Sequence, residues 1–281
     1  MKTQGISGTV KWSFDKGILT LKPVRGRKEG TFADQPSREW KHLLDYIEEI
    51  HAEGLLHLPK DASYMFHFFH GDSLDLSHFD SSQVENMTGM FDYCSQLRSL
   101  DISNLKTSNV KTMNSLFCCC HNLTSLDLST LDTHNVVDMS CMFSGCNSLT
   151  SIDLSNFKTE NVASMFSMFY CCWKLQEIHG LENFNTAKVE TMYQMFSQCP
   201  VIKLDLSSFK TDKVNNMIDM FRFCFELETL DLSNFTFNKG VDLEHMLLGC
   251  KSLKTVFVNE TNKNQVMQLV DDCNKIDFVV K

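Results

Sequence analysis

No stretch of this chain approaches the ~18 consecutive apolar residues that a membrane-spanning helix needs. The opening residues Met1-Lys2-Thr3-Gln4-Gly5-Ile6-Ser7-Gly8 contain no apolar segment of the signal-peptide kind, so no export signal is visible. Basic charge is scarce too. Lys and Arg number 26 against 35 Asp and Glu, a net charge of −9. That balance excludes nucleic acid as a partner, because binding phosphates requires a basic patch. There is no Gly-rich phosphate loop, no G-x-S-x-G and no H-E-x-x-H. His67 and His70 stand three apart with no third ligand in view, and the run Cys118-Cys119-Cys120-His121 lacks the paired spacing of zinc sites. Ser, His and Asp are plentiful, but they recur in every repeat, whereas a catalytic triad needs one unrepeated constellation. These absences point away from an enzyme and imply neither metal nor cofactor.

What the chain has is repetition. An apolar residue recurs at Leu74, Leu100, Leu126, Ile152, Ile178, Leu204, Leu230 and Val256, a period of 26 residues each time. Met90-Phe91 returns as Leu116-Phe117, Met142-Phe143, Met168-Phe169, Met195-Phe196 and Met220-Phe221, with Met246-Leu247 as a decayed copy. A cysteine follows each pair, at Cys94, Cys120, Cys146, Cys172, Cys199, Cys224 and Cys250. One residue is inserted near Gly180 and one is lost beside Pro200, so both irregularities fall in the fifth unit. A fixed period of this length means stacked units, each covering the apolar face of the next.

Within a unit, Leu123-x-x-Leu126-x-Leu128-Ser129 alternates and predicts a short strand, with Leu126 and Leu128 inward and Ser125, Asp127 and Ser129 outward. Val110, Met113, Leu116 and Phe117 have helical spacing and predict a short helix, with Thr107, Ser108 and Asn109 placed to cap it. The expected fold is an α/β solenoid of leucine-rich-repeat type, with a parallel sheet on one face and short helices on the other. The Met column (Met87, Met113, Met139, Met165, Met192, Met217) is core by spacing.

Read as a motif, LxxLDLSNFxTxNVxxMxxMFxxC resembles the repeat of the BspA-type leucine-rich-repeat surface proteins over residues 65–258. The opening Lys11-Trp12-Ser13-Phe14-Asp15-Lys16-Gly17 resembles the segment that precedes repeats in that family. The resemblance implies a curved solenoid and a bacterial surface or secreted binding protein. The cysteines lean the other way. Seven of the twelve are the repeat cysteine among core positions, where a free thiol acts as a small buried hydrophobe, and many free thiols suit a reducing compartment.

Three segments follow from this reading: an N-terminal cap at 1–64, the solenoid at 65–258 and a C-terminal cap at 259–281. In the first, residues 9–24 read as a hairpin turning at Asp15-Lys16-Gly17, residues 25–36 as a loop, and 38–50 as a helix capped by Ser37, with Trp40, Leu43, Leu44, Ile47 and Ile50 inward. In the last, Thr261 caps a helix carrying Val266, Leu269 and Val270, and 276–280 is a closing strand. Terminal caps are what a repeat array requires.

Two features suggest a protein-binding surface. The outward centre of the expected sheet holds Asp75, Asp101, Asp127, Asp153, His179, Asp205 and Asp231, an acidic column suited to a basic protein segment or to cations. Its bland alternative is a duplicated, solvated aspartate bonding local serines. Tyr93, Tyr170, Trp173, Phe223 and Phe225 lie outside the repeat core and are expected along one edge, either as binding anchors or folded over the unit ends. Three functions remain open: a surface binding module, a cytoplasmic interaction protein such as an inhibitor or adaptor, and a cation-stabilised rod. The spacing sets no oligomeric state.

Overall fold

Each 26-residue unit makes one coil, and the coils stack in parallel into a β-solenoid of about nine turns with few helices. The computed structural model describes residues 3–34, 39–270 and 276–281. A single apolar core runs from Val10 to Val266. The Met column lies wholly inside it, as the spacing requires.

The short helices expected in each repeat do not form. In Met87-Thr88-Gly89-Met90-Phe91-Asp92-Tyr93-Cys94, alternate amides reach the next coil: Met87, Gly89, Phe91 and Tyr93 donate to the carbonyls of Thr112, Asn114, Leu116 and Cys118. The amides of Met90, Asp92 and Cys94 instead close turns onto the carbonyls three residues back. Two positions per coil take left-handed backbone, as at Ser115 (φ 55°) and Cys119 (φ 57°), and a helix cannot pass through such residues. Successive tight turns bury residues three and four apart just as a helix would, which is why the spacing misleads. A parallel ladder crosses this face without a gap, through Asp61, Asn86, Thr112, Asp138, Ser164, Thr191, Asn216 and Asp242.

The expected cap residues bond along the stack. Thr107 Oγ1 donates to Asp132 O at 2.9 Å and accepts from Asp132 N at 2.7 Å. Thr133, Thr159, Thr186 and Thr211 do the same to Lys158, Asn185, Lys210 and Thr236. Asn109 and Asn135 reach the other way, each donating Nδ2–H to a carbonyl of the preceding coil, on Ser82 and Ser108, at 2.8 Å. Each ladder cysteine donates its thiol to a carbonyl of the preceding coil, as Cys146 to Phe117 at 3.1 Å. Inside, Phe66, Phe91, Phe117, Phe143, Phe169, Phe196 and Phe221 stack at 5.6–5.8 Å.

On the Leu-Asp-Leu side the sheet is shorter than expected. Among the described residues of the repeats, strands form on this side only at β8 (Ser151–Asp153), β9 (Glu177–His179), β10 (Thr229–Asp231) and β11 (Thr255–Val258), pairing as β8–β9 and β10–β11. Among the described residues, the segments at 74–76, 100–102, 126–128 and 204–206 join neither ladder. Phe184, Phe209 and Phe235 stack at 6.3–6.4 Å, wider than the Phe91 column, so the coils fan apart away from the turn face. The fifth-unit insertion sits at Gly180, whose φ of 89° and near-contact with Ser155 N, 2.4 Å from where a Cβ would stand, leave room for no other residue.

The N-terminal hairpin forms as read: β2 (Val10–Asp15) pairs antiparallel with β3 (Ile18–Pro23) around Lys16-Gly17, both with positive φ. β1 (Gln4–Ser7) adds to β2, and β5 (Glu49–Ala52) pairs parallel with β3. The expected helix over 38–50 is only a 3-10 turn at Lys41–Tyr46, and Ile50 lies in β5 instead. Trp40 still packs edge-on against Trp12 at 6.0 Å, with Leu43 and Ile47 buried. Ser37 lies outside the described residues. β4 (Glu29–Thr31), β6 (Leu55–His57) and β7 (Phe79–Asp80) form a three-stranded parallel sheet leading into the coils. At the far end α1 (Lys263–Met267) buries Val266, and β12 (Asp277–Val280) pairs parallel with β11. Asn259, not Thr261, organises the entry to α1: its Oδ1 accepts the amides of both Thr261 and Asn262.

Candidate binding face

The aspartate column lies on the Leu-Asp-Leu side, and each member has a local task. Asp75, Asp101, Asp127, Asp153, Asp205 and Asp231 accept the amide of the serine two residues on, at 2.8–3.1 Å. One carboxylate oxygen thus shapes the turn after the strand. Serine hydroxyls and amides hold Asp101, Asp127, Asp153 and Asp205 below the ordinary carboxylate range, and the Ser77 amide does so at Asp75. At Asp231 burial pushes upward, but Lys281 and Ser233 prevail and the pKa is lowered. The column is therefore ionised at neutral pH. All but the half-buried Asp231 are exposed.

His179 interrupts the column beside Glu177, with Nε2 3.5 Å from the carboxylate. Between β9 and the segment that carries Ile202 to Asp205 lies a hollow of about 370 Å³, bordered by Glu177, His179, Glu182, Ile202, Lys203 and Asp205. A second hollow of about 260 Å³ separates that segment from β10, bordered by Asp205, Asp231, Phe257 and Lys281. Both exist because 204–206 bonds to neither neighbouring strand. The sequence offered one signal for this place, the paired irregularities at Gly180 and Pro200. Ile202, 50% exposed, and Lys203 and Lys281 were not singled out from the sequence, because none occupies a repeat-core or column position.

The aromatic residues sit on the turn face, not with the aspartates. Tyr93, Trp173 and Phe225 are exposed, while Tyr170 and Phe223 are half-buried. Tyr93 stacks on Phe68 at 5.0 Å, and Phe223 on Phe225 at 5.6 Å. Tyr170 Oη accepts from Gln198 Nε2 at 3.3 Å. Phe166, 39% exposed, stacks on Tyr193 at 5.0 Å and extends this surface beyond the residues the sequence marked.

Among the described residues no helix is long and apolar enough to cross a membrane. Comparison with known proteins places the chain in a family. The family described as "Mycoplasma protein of unknown function, DUF285" matches residues 60–179 and 172–277, and the chain belongs to it. That match supports the BspA-like repeat family that the motif resembles. No curated protein matches. A crystal structure of a leucine-rich repeat protein from Bacteroides ovatus ATCC 8483 is similar over 99% of this chain and 76% of that one, at 15% identity and a TM-score of 0.39.

Proposed function

We propose that this chain is a non-enzymatic protein-interaction module whose Leu-Asp-Leu face receives a basic, extended segment of a partner protein. One observation carries this: a column of ionised aspartates, each steadied by its serine, leads into two hollows where segment 204–206 is unpaired. Charge complementarity of this kind governs encounter rate and specificity, and it weakens with salt. The solenoid fold and the family support an interaction role.

The test compares wild type with an Asp127→Lys, Asp153→Lys double variant as bait against lysate and surface fractions of the native cells. A partner held by wild type, lost by the variant and released by rising salt supports the reading. A partner kept by both baits moves the contact to the turn face, a second reading that the 60% exposed Trp173 favours. Trp173→Ala then tests it. The resemblance to BspA-type surface proteins supports action at the cell surface. The free described cysteines support the cytoplasmic alternative, and protease treatment of intact cells separates the two.

A further inference from the structure

The turn face carries thiols outside the ladder column, and two of them adjoin. Cys118 and Cys119 are half-buried neighbours outside the ladder column, with sulfurs 3.7 Å apart and Cys118 donating to Cys119. Cys119 holds one of the left-handed positions of this face. One coil earlier the equivalent position is Tyr93. One coil later it is Gly145, where a Cβ would stand 3.3 Å from Cys119 Sγ. Glycine therefore leaves that sulfur uncovered on one side. His121 donates Nδ1–H to Gly145 O at 2.9 Å, which fixes the imidazole in the same corner.

We propose that Cys118 and Cys119 form a thiol-exchange site for small-molecule disulfides, with Cys119 as the nucleophile and Cys118 as the resolving thiol. The Cys119 thiolate attacks one sulfur of RSSR, forming a mixed disulfide and releasing RS⁻. Cys118 then loses its proton and attacks Cys119 Sγ, releasing the second RS⁻. The two protein protons end on the two released thiols. The protein pair is oxidised by two electrons, and RSSR is reduced to two RSH. The sulfurs must close from 3.7 Å to about 2 Å.

The surroundings favour this order. The bond from Cys118, joined by one from Tyr93 and by the His121 charge, lowers the Cys119 thiol to about 7, against burial and Asp92. A thiol with pKa near ambient pH is the best attacking group. The same shared hydrogen bond, with burial, pushes Cys118 upward. Once Cys119 is a mixed disulfide it no longer holds that proton, and Cys118 is freed to act. Cys141 and Cys171, from the next two coils, face the same corner and are raised by burial, so they stay protonated.

The experiment treats the folded full chain, in a Cys273→Ser background, with 5,5′-dithiobis(2-nitrobenzoate) at several pH values. Two thionitrobenzoate equivalents are expected in the fast phase, with a protein mass two hydrogens lighter and no adduct. The rate should have its pH midpoint near 7. Cys118→Ser should release one equivalent, keep the adduct and move the midpoint upward. Cys119→Ser should lose the fast phase, and Cys171→Ser should leave it unchanged. A fast phase that survives Cys119→Ser, or a persistent adduct on the background chain, overturns the proposal. Brief substoichiometric iodoacetamide labelling of the same Cys273→Ser chain gives a second readout: carboxamidomethyl mapping first to Cys119 supports the assignment, and mapping first elsewhere sinks it.

Discussion

At the residue scale the solenoid is held by side chains that bond the next coil's peptide, and Thr159 shows what one of them does. Its Oγ1 accepts Asn185 N–H at 2.8 Å and donates to Asn185 O at 3.2 Å, so one buried hydroxyl satisfies both backbone polar groups of that residue. Valine has nearly the same shape and neither function. Thr159→Val should therefore cost about 1–3 kcal/mol, the loss of two hydrogen bonds at about 0.5–1.5 kcal/mol each, while Thr159→Ser should lose less. Urea midpoints measure this, and equal midpoints for wild type and the valine variant would show that the bond contributes nothing. His57 gives a pH-dependent counterpart. Its Nδ1 lies 2.9 Å from Asp80 and its Nε2 3.3 Å from Glu29, joining β4, β6 and β7. The Asp80 bond, then the Glu29 bond, raises its pKa above 6.5 in the fold, against a small opposing effect of burial. A raised basic pKa stabilises fully below the unfolded value and loses that contribution as pH rises through the folded value. The melting-temperature gap between wild type and His57→Gln should be widest near about pH 6 and narrow above about pH 8. A gap that does not change with pH would assign His57 a packing role only.

At the element scale the repeat turns are the decisive unit. The five-residue α1 is the only α-helix among the described residues, so far-UV circular dichroism should show no paired minima at 208 and 222 nm. A strong helical spectrum would contradict the left-handed residues at Ser115, Cys141, Ser167 and Gln194. The sequence made the period, the stacking, the Met-Phe core and the hairpin at Lys16-Gly17 legible, because each depends on apolar spacing or on turn chemistry carried by one residue. It did not reveal the turns. A left-handed residue is usually announced by glycine, yet here cysteine, serine, glutamine, aspartate, histidine, tyrosine and phenylalanine take that role, and only Gly89, Gly145 and Gly249 mark it at the turn positions of the repeats. Such backbone costs about 1–3 kcal/mol per residue and persists only where its surroundings over-determine it. Here the surrounding structure is the ladder from Asp61 to Asp242, invisible in any single unit because its members are Asp, Asn, Thr and Ser without a fixed type. The aspartate column was legible as a column. Its use as a turn-forming acceptor was one of the two readings the residues allowed, and the hollows around Lys203 depend on strand pairing that no residue type encodes.

At the scale of the whole molecule, equivalence between coils makes a prediction that a globular domain would not. The ladder bonds run between neighbouring coils, from Thr to the next peptide, from Asn to the previous one and from each ladder thiol to the previous Phe carbonyl. Stability is then close to a sum of coil terms and interface terms, provided the ends stay covered. Deleting residues 126–151 removes one full period and joins Ser125 to Ile152, the same position in phase. Thr107 then meets Lys158 in place of Asp132, and Phe117 meets Phe169, each an equivalent of the partner it lost. This shortened chain should fold with an unchanged spectrum per residue and a lower melting temperature, because one coil and one interface are gone while both end segments stay in place. Deleting residues 126–138, half a period, puts Met139 where Leu126 stood and breaks the phase between the coils before and after the junction, so that neither covers the other's apolar face. That chain should fail to give a cooperative transition. If both deletions unfold alike, the coils are not interchangeable and the core between Val10 and Val266 acts as one indivisible unit. If both fold, the 26-residue phase does not set the register.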